Sequence, residues 1–99
     1  MEESLNVDVR RVDGATAVTA AGEIDLATAP ELRAALERVA GRVVLHLDEV
    51  TYLDSSGIAV LVAQHHRLTA DDGELVLRRP TATVRRTLEL TGLGAWIDG

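Results

Sequence analysis

Residues 51–62 read TYLDSSGIAVLV, with two serines between an aspartate and a glycine, directly ahead of an apolar run at helical spacing. The other groups able to do chemistry are three histidines, His46, His65 and His66, and the carboxylates of the Gly22-Glu23-Ile24-Asp25 segment. Asp, Ser and Gly are all favoured at helix starts, where they satisfy orphan N–H groups. Asp54-Ser55-Ser56-Gly57 is therefore first of all a cap candidate, and Asp25 a turn candidate. Three chemistries compete with that bland reading.

A serine hydrolase would need Gly-x-Ser-x-Gly around its nucleophile, and Leu53 stands where the first glycine should be. His65 lies ten residues beyond Ser55, roughly 15 Å along a helix at 1.5 Å per residue, so neither it nor His66 can act as the base. His46 falls inside a strand-like run and reads as a sheet residue. A metal site fares no better, because adjacent His65 and His66 diverge by about 100° on a helix and have no third ligand at helical spacing. The remaining chemistry is phosphate acceptance. A phosphate on Ser55 would sit at the positive end of a helix dipole, with backbone N–H donors nearby. It would add roughly −1.5 to −2 charge beside Asp54 and, if the two loops are close, beside Asp25. The fold would tolerate such a group, while an acidic contact surface on a partner would be repelled.

The elements that must position these residues follow from pattern and punctuation. LNVDVRRV alternates, Asp13-Gly14 is a hairpin turn, and ATAVTAAGEI follows, so strands are expected near 5–12 and 15–24. In DLATAPELRAALERVAG, Thr28 and Glu31 have capping-box spacing and Pro30 sits in the first turn. Leu32, Ala35, Leu36 and Val39 form the apolar stripe of this helix, and Gly41 offers its left-handed stop. RVVLHL reads as a strand covered on both faces. Ile58, Leu61, Val62, His65 and Leu68 mark the inner stripe of a second helix. ADDGE turns the chain into a strand, ELVLR. Pro80 and Thr81 open a third helix, with Val84 and Leu88 inward and Gly92 closing it. AWI is a candidate last edge strand, and Trp96 is read as covering a sheet edge.

This order predicts one α/β domain over residues 1–99. Its sheet is mixed and mostly parallel, of four to five strands, with helices after strands 2, 3 and 4. In such sheets the loops at the carboxyl ends of the parallel strands meet ligands and partners. Asp25 and Ser55 end up at the same end of the domain if their strands are neighbours.

Composition narrows the function. The chain has 99 residues, no cysteine and no lysine, and all ten cations are arginine. Disulfides, thiolate metal sites, Schiff-base chemistry and a P-loop lysine are thereby excluded. The net charge of −6 argues against nucleic acid as partner. The opening MEESLNVDVRRV is acidic and alternating, unlike a secretory signal, and no apolar run approaches a membrane span. A cytoplasmic protein without membrane association is expected. Arg78-Arg79 and Arg85-Arg86 read as solvated pairs, and Asp71-Asp72-Gly73 as a turn that lacks the ligands of a calcium loop.

GEID at 22–25 and YLDSSGIAVL at 52–61 resemble the two signature segments of the STAS domain, with the bacterial anti-sigma factor antagonists as the nearest group. The resemblance extends over nearly the whole chain and implies a mechanism. The unmodified protein would bind an anti-sigma factor of the serine-kinase type and so free a sigma factor. That partner would use ATP to phosphorylate Ser55 and break the complex, and a serine phosphatase would restore the active form. Asp25, Asp54, Ser56, Gly57 and Ile58 would form the partner surface. The chain itself would carry no catalytic residue, metal or cofactor. Ala59 departs from a glycine common after the motif, and many relatives continue beyond the position of Trp96 into another helix. A rival use of the same fold is a subunit of a transport or signalling assembly with no phosphorylation cycle.

Overall fold

Asp13 and Gly14 both adopt positive φ, 47° and 80°, the requirement of a two-residue type I′ turn. This turn joins β1 (Asn6–Val12) to β2 (Ala15–Ile24) as an antiparallel hairpin. The computed structural model describes residues 5–99, so the first four residues of the expected domain lie outside the described residues. After the hairpin come α1 (Ala29–Glu37), β3 (Arg42–Leu53), α2 (Ser55–Ala70), β4 (Glu74–Arg78), α3 (Ala82–Leu90) and a 3-10 turn over Gly94–Trp96. The sheet runs β1-β2-β3-β4, with β2, β3 and β4 parallel. This is the mixed α/β architecture expected from the sequence, with four strands.

The core lies on one side of the sheet. Val18, Leu45 and Leu77 are register neighbours on β2, β3 and β4, and all are fully buried. Leu32 and Leu36 of α1, Leu61 and Leu68 of α2, and Val84 and Leu88 of α3 join them in a single cluster. Ala17, Val44 and Val76 are register neighbours on the opposite face, and Val44 and Val76 stand outside that cluster. β3 is thus not covered by helices on both faces. Its second apolar side sits instead in a shallow concavity among Val12, Ala17, Arg42, His46 and Arg78.

Four local expectations need correction. Thr28 has helical φ and ψ and makes no capping bond, so the Thr28/Glu31 capping box does not form. The Thr28 hydroxyl donates instead to the Glu23 carbonyl at 2.7 Å and accepts the Asp25 amide at 3.0 Å. Gly41 does have positive φ, 75°, but it lies in the loop beyond the end of α1 at Glu37. Arg67 Nη2, reaching across from α2, donates to Leu36 O in the last turn of α1 at 2.7 Å and to Val39 O in the loop just beyond it at 2.9 Å. Buried Gln64 holds Arg67 Nε at 2.8 Å. The inner stripe of α2 is rotated from the expected one: Val60, Leu61, Gln64 and Leu68 are buried, while Ile58, Val62 and His65 lie at its flank. α2 packs against α1 as well as the sheet, which widens the buried face. Finally, Ala95 and Trp96 belong to the 3-10 turn and only Ile97 makes a bridge, to Leu77, so there is no fifth strand among the described residues. Trp96 stacks face to face on His65 of α2, with ring centroids 3.7 Å apart, in a turn that lies against the edge strand β4.

Candidate functional site at the start of α2

β2 and β3 end together. Ile24 and Leu53 are the last register pair, and the Asp54 amide donates to the Ile24 carbonyl at 3.2 Å. The loops that begin with Asp25 and Asp54 therefore leave the sheet side by side. The condition for bringing Asp25 and Ser55 to one end of the domain is met.

Asp54 adopts an extended conformation and caps α2. Its Oδ1 accepts the amides of Ser56 at 2.8 Å and Gly57 at 3.4 Å, and its carbonyl accepts the amide of Ile58 at 3.0 Å. Ser55 is the first helical residue and is exposed. The cap is complete without the Ser55 hydroxyl, so that oxygen is left facing solvent. Because Asp54 already engages the Ser56 and Gly57 amides, those two donors are not free for an added phosphate. Ser56 and Ile58 are half-buried beside Ser55.

Gly57 sets the height of this helix start. A Cβ there would lie 2.4 Å from Leu53 Cδ1 and 2.6 Å from Ile24 Cγ2. Only a residue without a side chain lets α2 rest directly on the Ile24–Leu53 pair. The Asp25 carboxylate also has a local task. Its Oδ1 accepts the amides of Ala27 at 3.0 Å and Thr28 at 3.1 Å, while its carbonyl accepts the Ala29 amide at 2.8 Å. Asp25 remains half-buried at the rim, beside the opening of α2.

Next to these polar groups lies a surface that the sequence did not advertise. Leu26 is 79% exposed and borders a groove of about 320 Å³ between α1 and α2, with Pro30, Arg33, Ser56 and Ala59 on its walls. Leu26 belongs to neither helical stripe, and an apolar residue directly after GEID with no periodic partner was the available signal. Ala59 is exposed on this wall, so its methyl group faces the groove rather than the core. The histidines lie elsewhere. His46 lines the concavity on the open sheet face, and His65 is under Trp96.

A model of the STAS domain matches residues 6–98. The chain belongs to the STAS domain family. It is 34% identical over 98 residues to the anti-sigma-B factor antagonist of Bacillus subtilis (strain 168), covering 96% of this chain and 90% of the relative. The crystal structure of an anti-sigma factor antagonist from Mycobacterium paratuberculosis superposes with a TM-score of 0.83 at 32% identity, covering 92% of this STAS chain and 80% of the other. The antagonist SpoIIAA shares the fold in its unphosphorylated form, with a TM-score of 0.81 at 23% identity, covering 94% of this chain and 86% of that one. Its phosphorylated form, a Bacillus protein, gives 0.75 at 21%, covering 94% and 89%. No helix among the described residues is long and apolar enough to cross a membrane.

Proposed function

We propose that this STAS chain is an anti-sigma factor antagonist switched by phosphorylation of Ser55. The observation that carries the reading is the division of labour at α2: Asp54 caps the helix, and Ser55 presents an exposed hydroxyl that the cap does not use. A serine needed only as a cap would be redundant here. Unmodified, the chain binds an anti-sigma factor through Asp25, Asp54, Ser56 and Ile58, with buried Gly57 seating the helix start that presents them, and the sigma factor is released. The antagonist relatives lend the partner class.

In the switching step the partner supplies ATP and the catalytic groups. Ser55 Oγ bonds to the γ-phosphorus, the bond to the β–γ bridging oxygen breaks, and ADP departs. The hydroxyl proton leaves to a base on the partner or to water. The product carries roughly −1.5 to −2 charge at neutral pH. Since the Ser56 and Gly57 amides remain with Asp54, the phosphate stays at the surface, and its charge adds to that of Asp54 and Asp25 at the contact face. Binding is lost by repulsion, with the fold unchanged. A serine phosphatase hydrolyses the phosphoester and resets the chain, which itself contributes no catalytic residue or cofactor and acts in the cytoplasm.

The test is a parallel pull-down from the source organism's lysate with wild type, Ser55→Ala and Ser55→Asp, followed by mass spectrometry of the bound proteins and of Ser55. The switch requires an anti-sigma ATPase held by wild type and Ser55→Ala but released by Ser55→Asp, and a phosphate on Ser55 after incubation with ATP. Retention of one transport or signalling partner by all three chains sinks the proposal and leaves the rival subunit role.

A further inference from the structure

The two edges of the sheet are finished differently. Beyond β4, Ile97 bridges Leu77, the Asp98 amide donates to the Leu77 carbonyl at 2.8 Å, and Arg78 closes on the Asp98 carboxylate at 3.2 Å. Beyond β1, no strand pairs among the described residues. Its seven residues include Val9 at 45% and Val12 at 48% exposure. An unpaired edge of this length is a template for another strand unless its side chains forbid it.

The turn determines which backbone groups face outward. A two-residue type I′ turn makes Val12 and Ala15 a hydrogen-bonded pair, and they are register partners here. Alternation along the strand then directs the N–H and C=O of Asn6, Asp8 and Arg10 toward β2. Those of Val7, Val9 and Arg11 point to the open edge. A second antiparallel β1 must therefore align odd residues with odd residues.

With a two-fold axis at Val9, each Val9 faces its equivalent and Val7 faces Arg11 of the second copy. Asp8 then faces Arg10 of the second copy, twice over. These charged pairs fall at the non-hydrogen-bonded positions, where opposed side chains approach most closely. Moving the axis by one residue, to Asp8 or to Arg10, sets like charges opposite each other. The edge is self-complementary in one register and repulsive in its neighbours. Within one chain Asp8 and Arg10 already meet at 3.1 Å with side chains 62% and 74% exposed, so both are free to exchange partners.

We propose that β1 is a homodimer interface, in which two copies pair antiparallel about Val9 and merge their sheets into one of eight strands. The interface is isologous, as a two-fold demands. Ser55 follows β3, two strands from this edge, so each dimer exposes two independent switch sites.

Sedimentation equilibrium of the full chain tests the assignment. Wild type should pass from monomer to dimer as concentration rises to roughly 1 mM, the range of weak specific association. Val9→Pro removes an outward N–H and no β1–β2 bond, and should give a folded monomer. In a homodimer, Asp8→Arg sets two pairs of opposed cations beside the axis, and Arg10→Asp two pairs of opposed anions. Each should self-associate about tenfold or more weakly than wild type, and their equimolar mixture should recover the dimer. A wild type that stays monomeric throughout, or a mixture no more associated than its components, overturns the proposal. Should Val9→Pro fail to fold by circular dichroism, the mixture still decides. Failure here leaves the Ser55 switch untouched, since its readout is partner capture.

Discussion

The carboxylate of Asp54 accepts the Ser56 amide at 2.8 Å, and this bond frees the intervening Ser55 from any part in holding the helix. The two residues can therefore be separated by experiment. Asp54→Ala removes the acceptor for two amides and should destabilise the chain by about 1 kcal/mol, the usual effect of losing an N-cap. Ser55→Ala should fall within about 0.5 kcal/mol of wild type, as for an exposed substitution. Urea midpoints read both. Equal losses would return Ser55 to the role of a structural cap.

Gly57→Ala inverts the ordinary helix preference. Alanine is the better helix former by about 1 kcal/mol at an unconstrained site. Here its methyl group would collide with Leu53 Cδ1 and Ile24 Cγ2, and overpacking of this kind destabilises by about 1–3 kcal/mol. A lowered urea midpoint is expected, together with weaker partner binding as the start of α2 lifts from the Ile24–Leu53 pair. A stability equal to or above wild type would show that the helix start is not tightly seated.

Much of this arrangement could be read from residue pattern, because alternation, the Asp13-Gly14 turn and the DSSG punctuation are local signals. Each strand and helix arises where those signals lie, except that β3 runs on through residues 48–53, beyond the RVVLHL run that marks its start. The errors share a cause in tertiary packing. Thr28 and Glu31 have capping-box spacing, yet Asp25 and the Glu23 carbonyl engage the Thr28 hydroxyl first. Gly41 resembles a helix stop, but Arg67 from α2 binds the Leu36 carbonyl of α1 and the Val39 carbonyl beyond it, across 31 and 28 residues of sequence. Gln64 is polar, and residue pattern alone does not place it in the core, because what satisfies it there is that same arginine. Val44 is buried on a face that has no helix over it. None of these relations has a period along the chain.

Asp25 serves both the loop and the contact face, so charge and geometry need separate probes. Asp25→Asn keeps an oxygen that can accept from Ala27 and Thr28, and its stability should remain within about 0.5 kcal/mol of wild type. Asp25→Ala removes that acceptor and should lower stability by about 1 kcal/mol, more than an ordinary exposed loop change. If charge is what the partner reads, both variants bind more weakly by a similar factor in calorimetry. Binding preserved in Asp25→Asn would show that the partner reads loop shape instead.

His65 predicts a pH dependence with a definite sign. Its ring lies under Trp96 at 3.7 Å, 5° from parallel, and its Nδ1 is buried without a hydrogen-bond partner. Burial first, and the neighbouring His66 second, hold its pKa below the ordinary 6.5. Between the folded and unfolded values the unfolded chain carries the proton and the folded chain does not, so stability rises with pH across that window. The contribution is intact above pH 6.5 and is lost as pH falls through the lower folded value. His65→Phe keeps an aromatic ring over Trp96 but cannot titrate. Urea midpoints for wild type and His65→Phe should therefore diverge as pH is lowered from about 7.5 to about 5, with the variant the less affected. Parallel pH profiles for the two chains would rule out His65 as the group that titrates on unfolding and assign any acid sensitivity to the carboxylates.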